Sequence, residues 1–208
     1  MELGELGESL RQSFDAKTSA REQGLAASRT AIRSCGNAIR ALHRYEAGRA
    51  GELIEEARAS LDEARSALEP HPELLHAGFV HDAEKEFAEA CITRSLVLKE
   101  AFPSIDEVDV STAAYVKGMA EAIGEVRRHL LDLLRRGELK RCEELLGAMD
   151  EIYYLLVSLD YPDGITLGLR RLTDVARSII ERTRGDFTTS SIQSGLRDAL
   201  ERRMPEAR

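Results

Sequence analysis

Tryptophan is absent, and aromatic residues make up only 5% of the sequence. The core must therefore be built mainly from Leu, Ile, Val and Ala, which suits packed helices. Proline occurs five times, as Pro70, Pro72, Pro103, Pro162 and Pro205. The long stretches between these prolines are uninterrupted, which argues for helix. Cys35, Cys91 and Cys142 are few, odd in number and far apart, with no CxxC pair. That pattern predicts reduced, mostly buried thiols in a cytoplasmic protein. No window approaches the ~20 apolar residues of a membrane span. The start, Met1-Glu2-Leu3-Gly4, has acids where a signal peptide needs basic residues. Nucleophile and phosphate-loop motifs (GxSxG, GxxxxGK[ST], GxGxxG, HExxH) are missing too. His71, His76 and His81 are five apart, which turns each ~140° from the last on a helix, so they do not form a metal face. Triad hydrolases, P-loop enzymes and zinc proteases are improbable.

What is present fits one sizeable domain spanning 1–208. The hydrophobic share is 43% and the charged share 32%, as in a globular chain whose segments each have one wet face. Gly and Pro punctuate long amphipathic runs. These predict helices over roughly 8–46, 51–69, 72–101, 112–136, 138–160, 164–184 and 188–203, with a loop at roughly 103–111. One apolar stripe runs through Tyr115, Met119, Ile123, Val126, Leu130 and Leu134, another through Phe79, Ala83, Phe87, Ala90 and Leu98. No strand pattern, internal repeat or low-complexity tract appears. The fold class is all-α, a single bundle of about seven helices. A first helix of ~38 residues spans ~57 Å, more than a small domain needs, and favours an oligomer.

Carboxylates carry the first chemical signal. Asp82, Glu86 and Glu89 fall at i, i+4 and i+7, on one helix face. Glu121 and Glu125 flank the apolar stripe of the next long helix, and Asp150 borders the apolar face of the one after. Acids on facing helices of a bundle are a way such folds bind divalent metals. Hard oxygen donors suit Mg²⁺ or Mn²⁺, which can activate water against a phosphoryl group. The same i, i+4 spacing also describes an ordinary solvated acidic face.

Arginines carry the second. Arg29, Arg33, Arg40 and Arg44 stay within ~60° of one another on a helical wheel and run for ~22 Å. Such a line can follow a sugar–phosphate backbone, or it can pair with the acids of the second helix. The net charge of −8 argues against wrapping nucleic acid on the outside, but distribution matters more than the sum. No aromatic interleaves the row, so phosphate contacts should dominate over base stacking.

Four stretches together resemble the translin family, which includes translin and its partner Trax. Ser28-Arg29 followed by Ile39-Arg40-Ala41-Leu42-His43-Arg44 is similar to the family's first helix. Lys85-Glu86-Phe87-Ala88-Glu89-Ala90 followed by Thr93-Arg94-Ser95-Leu96 is similar to the Trax helix carrying Glu-x-x-Glu-Ala. Tyr115-Val116-Lys117-Gly118 with Gly124-Glu125-Val126-Arg127-Arg128, and then Gly137, is similar to the family's Tyr-x-x-Gly helix and the glycine after it. Met149-Asp150-Glu151-Ile152-Tyr153 is similar to the family's aspartate before an aromatic or hydrophobic run. The resemblance covers roughly 15–185, and the short 103–111 loop looks like that of archaeal members.

The resemblance implies a seven-helix fold assembling into a hollow homo-oligomer, often of eight subunits, with RNA inside. An acidic exterior is then compatible with an arginine-lined interior. Trax-type subunits cut RNA with an acid-held metal. That role falls on Glu86, Glu89 and Asp150, with Glu125 as a further ligand to Mg²⁺ or Mn²⁺. Arg29, Arg33, Arg40 and Arg44, joined by Arg94 and Arg128, would hold the backbone of single-stranded RNA or DNA. Translin-type subunits lack the Glu-x-x-Glu pair and bind without cutting, which is the alternative reading. Two departures bear on metal affinity: Thr30 stands where the family often has an acid, and Lys85 directly precedes the pair.

Overall fold

The computed structural model describes residues 3–75 and 78–203. His76 and the Met1-Glu2 start lie outside them. Among the described residues there are nine helices and no strand: α1 (Leu3–His43), α2 (Ala47–Leu68), α3 (Pro72–Leu75), α4 (Gly78–Leu98), α5 (Ile105–Val108), α6 (Thr112–Arg135), α7 (Leu139–Ser158), α8 (Asp163–Thr166) and α9 (Leu169–Arg203). None of the described helices is long and apolar enough to cross a membrane. The all-α class holds, but the count of seven does not.

One difference falls at residues outside the description, between Pro72–Leu75 and the helix from Gly78. Two local causes account for the rest. The 103–111 loop holds one turn, α5, started by a capping box. Ser104 accepts from the Glu107 N–H, and the Glu107 carboxylate accepts from the Ser104 N–H. The last two expected helices merge into α9. An interior glycine costs only ~1 kcal/mol, and Arg127 donates to Thr183 and Asp186 on either side of Gly185, at 2.9 and 2.8 Å. The break comes earlier, where Leu167 and Gly168 take left-handed φ values of 52° and 91°.

The chain divides into two compact units, Met1–Cys91 with Pro103–Gly118, and Ile92–Phe102 with Met119–Arg208. In the first, α1 and α2 pack as a hairpin. The buried residues of α1 include Gly24, Ser28, Ala31, Cys35, Ala38 and Leu42, alternating by four and three. Those of α2 include Ala50, Ile54, Ala57, Leu61, Ala64 and Leu68 at the same spacing. This is the heptad seam of a coiled coil, thinned by alanine. The hairpin turn closes on Tyr45, whose φ is 63°. Glu46 N–H donates to Ala41 O and Tyr45 N–H to Leu42 O, both at 3.0 Å, the paired bonds of a Schellman end. Before Gly24, no described residue of α1 is buried. Also in this unit, Glu84 is buried, bonded to Arg65 at 3.0 Å and to the Ser111 hydroxyl at 2.7 Å.

In the second unit α7 packs on α9, burying Cys142, Leu145, Met149, Ile152 and Leu156 with Ala176 and Ile180. Burial pushes the Cys142 thiol up to about 11, with Glu138 adding to the shift. All three cysteines are free thiols. Arg141 donates to the Leu96 carbonyl, and Lys99 pairs with Glu144 at 3.0 Å.

Candidate metal centre

Glu86 and Glu89 are three residues apart on α4, so helical geometry puts them on one face. Each offers a carboxylate oxygen within 4.8 Å of the other's. Glu89 is only 9% exposed, and Glu86 is half-buried. Within the first unit, the backbone that carries them lies close against α6. A Cβ on Gly118 of α6 would lie 2.6 Å from Lys85 O, 2.7 Å from Ala88 Cβ and 2.8 Å from Glu89 N. Only glycine lets α6 lie this tightly on α4. The charge is felt nearby: burial, then Cys91, Glu86 and Glu89, push the Cys35 thiol far above its ordinary value. The counter-charge is Lys85, whose Nζ lies 2.9 Å from Glu86 Oε1.

Two half-buried carboxylates at this separation are hard oxygen donors that can share one divalent cation. Like charges held this close repel, and either a metal or an ammonium relieves that repulsion. The donor chemistry fits Mg²⁺ or Mn²⁺ and not a soft metal, since Cys35 is buried with its thiol strongly favoured over thiolate.

Asp82 is exposed. Glu121 and Glu125, in the second unit on α6, are half-buried. Asp150 on α7 is gripped by Arg184 of α9, which donates to both its oxygens at 2.7 and 2.8 Å. The buried acid of α4 that spacing did not single out is Glu84. Its partners Arg65 and Ser111 lie 19 and 27 residues away in sequence.

Arg29, Arg33 and Arg40 on α1, and Arg44 in the turn just after it, are all exposed. Arg40 donates to Asn37 at 2.6 Å, and Arg44 forms a forked pair with Glu46 at 3.1 Å. Among the described residues no ion pair ties the row to α2, whose Arg49 pairs with its own Glu52 and Glu56. The rival intramolecular account of the row therefore has no support at Arg29 or Arg33. In the second unit Arg128 is exposed, whereas Arg94 is half-buried and paired with Glu100 at 3.1 Å.

The comparisons with known proteins agree with this arrangement of helices. No family profile matches the sequence. An uncharacterised protein of Methanocaldococcus jannaschii is 30% identical over 188 residues, 89% of this chain and 83% of its own. The structure of AfC3PO in complex with duplex RNA is similar at 30% identity and a TM-score of 0.83, covering 89% of this chain and 96% of that one. These likenesses reach across nearly the whole chain. The chain belongs to the translin family. Apo-NeC3PO, at 17% identity and a TM-score of 0.80 over 88% of this chain and 96% of that one, shares the fold.

Proposed function

We propose that this protein binds single-stranded RNA, with single-stranded DNA as a second ligand, and cuts RNA with Mg²⁺ or Mn²⁺ as a Trax-type endoribonuclease. The observation that carries the reading is the carboxylate pair of Glu86 and Glu89, half-buried and within 4.8 Å. A divalent cation bound there would activate water and stabilise charge on phosphorus. Glu86 and Glu89 would hold it. The acids that the resemblance implies to complete the donor set are Glu125, and Asp150 once Arg184 releases it. Arg29 and Arg33, with Arg40, Arg44, Arg94 and Arg128, would bind phosphates without reading bases. The RNA in the AfC3PO complex supports this ligand class. Because that RNA is duplex, both strand forms belong in the assay.

The working form is a cytoplasmic homo-oligomer, with eight subunits as the family expectation. Leu3, Leu10 and Phe14 on α1 are exposed, and separately so are Ile192, Leu196 and Leu200 on α9, apolar positions that a second copy of the chain would cover.

A second reading, binding without cleavage, is favoured by Lys85 on Glu86 and Arg184 on Asp150, which already balance two of the acids. End-labelled RNA incubated with Mn²⁺, with and without chelator, separates the two. The catalytic reading expects chelator-sensitive products from wild type, none from Glu89→Gln, and equal RNA affinity in both. Products from Glu89→Gln at the wild-type rate would refute the assignment of this pair. No product from wild type would leave the binder.

A further inference from the structure

We propose that Lys85 is a resident counter-ion that a divalent cation must displace from Glu86, so that this lysine sets how tightly the carboxylate pair takes metal. The inference rests on the metal reading above. Successive residues on a helix point ~100° apart and do not ordinarily face one another. Lys85 and Glu86 nevertheless meet at 2.9 Å between Nζ and Oε1. The lysine stem therefore lies across the helix surface toward the acid instead of reaching out to water. Both side chains are mostly covered, at 15% and 28% exposure, so solvent screens the pair less than it screens an exposed one.

Lys85 is also pinned from behind. Its carbonyl oxygen is the first atom that a Cβ on Gly118 would meet across the helix contact, at 2.6 Å. The backbone that aims the ammonium is thus the backbone that aims the carboxylates. An ammonium and a divalent cation compete for the same oxygen lone pairs. In the metal-free protein, Lys85 relieves the repulsion between Glu86 and Glu89, and metal binding must give up that relief. The neighbouring ammonium differs: Lys117 Nζ lies 3.4 Å from His81 Nε2, a ring nitrogen and not a metal-ligating oxygen.

The test is Mn²⁺ titration into the full-length protein, followed by the electron paramagnetic resonance signal of free Mn²⁺, with no RNA present. Lys85→Met should bind Mn²⁺ about tenfold tighter than wild type or more, as expected for removing a competing charge at contact distance. Lys85→Arg, which keeps the charge, should stay near wild type. Lys117→Met should change affinity by no more than about twofold, because its charge is one step removed. Thermal melts check that each variant is folded, and Lys85→Gln replaces Lys85→Met if the latter is not. Equal affinity in wild type and Lys85→Met overturns the role of Lys85 while leaving the metal reading intact. So does equal tightening by Lys117→Met, which would show a general field effect. No Mn²⁺ binding in any variant, or binding unaffected by Glu89→Gln, overturns the metal reading and this inference with it.

Discussion

Gly118→Ala adds one methyl group where α6 meets α4, and the cost can be worked from the contacts. The new Cβ would stand 2.6 Å from Lys85 O and 2.8 Å from Glu89 N, both backbone atoms, and 2.7 Å from Ala88 Cβ. Favourable carbon contacts begin near ~3.5 Å, so the two helices must part locally by about 1 Å. Overpacking costs about 1–3 kcal/mol, and because two of the three atoms met are backbone and cannot swing aside, the upper part of that range, about 2–3 kcal/mol, applies. Alanine returns up to ~1 kcal/mol of helix propensity. The net is a loss of about 1–2 kcal/mol, or ~2–8 °C in melting temperature for a chain of this size. Gly185→Ala is the matched control. It lies inside α9 with nothing within 4 Å of where a Cβ would stand, and it should gain ~0.5–1 kcal/mol from propensity alone. Circular dichroism at 222 nm, with all proteins at one concentration, measures both. A Gly118→Ala protein melting at or above wild type would refute the close-approach argument. The displaced atoms belong to residues 85, 88 and 89, so the same variant should also bind Mn²⁺ more weakly.

Two further predictions concern the surface. Arg29→Ala combined with Arg33→Ala should weaken RNA binding and flatten its dependence on salt by ~0.7 log–log units per lost phosphate contact, read from affinities at several salt concentrations; an unchanged slope would remove these arginines from the interface. Burial, and then the Lys117 ammonium, hold the His81 imidazole below its usual 6.5, against opposing pulls from Glu84 and Asp82. The folded state therefore binds fewer protons than the unfolded chain near pH 6, so the contribution of His81 to stability is intact above about 6.5 and is lost as pH falls through the folded value. An NMR titration should place His81 below 6.5 and Lys117→Ala should raise it; a value at or above 6.5 would contradict the packing described.

Periodicity made the long helices legible. The apolar stripe through Tyr115, Met119, Ile123 and Val126 is buried as the spacing implied. The ends were less legible, because they depend on backbone choices that composition does not force. Tyr45 and Lys99 take left-handed φ values of 63° and 60° beside Gly137 at 77°, and only the glycine advertises it. The α5 turn was readable in principle, since Ser104-x-x-Glu107 is a capping box. At the candidate site, helical spacing puts Glu86 and Glu89 on one face, a local fact. The grip of Arg184 on Asp150 joins residues 34 apart, and the burial of Glu84 depends on Arg65 and Ser111. Pairings of that range leave no mark in a window of one helix.

The alanines of the α1–α2 seam have an effect on the side of α1 they never touch. At 100° per residue, the mean direction of Arg29, Arg33 and Arg40 lies about 160° from that of Gly24, Ser28, Ala31, Cys35, Ala38 and Leu42. With methyl-sized groups at Ala31, Ala38, Ala57 and Ala64, all 0% exposed, the hairpin has little slack for α1 to roll about its own axis. Uncharged residues thereby act as the straightedge along which the guanidinium groups are ruled.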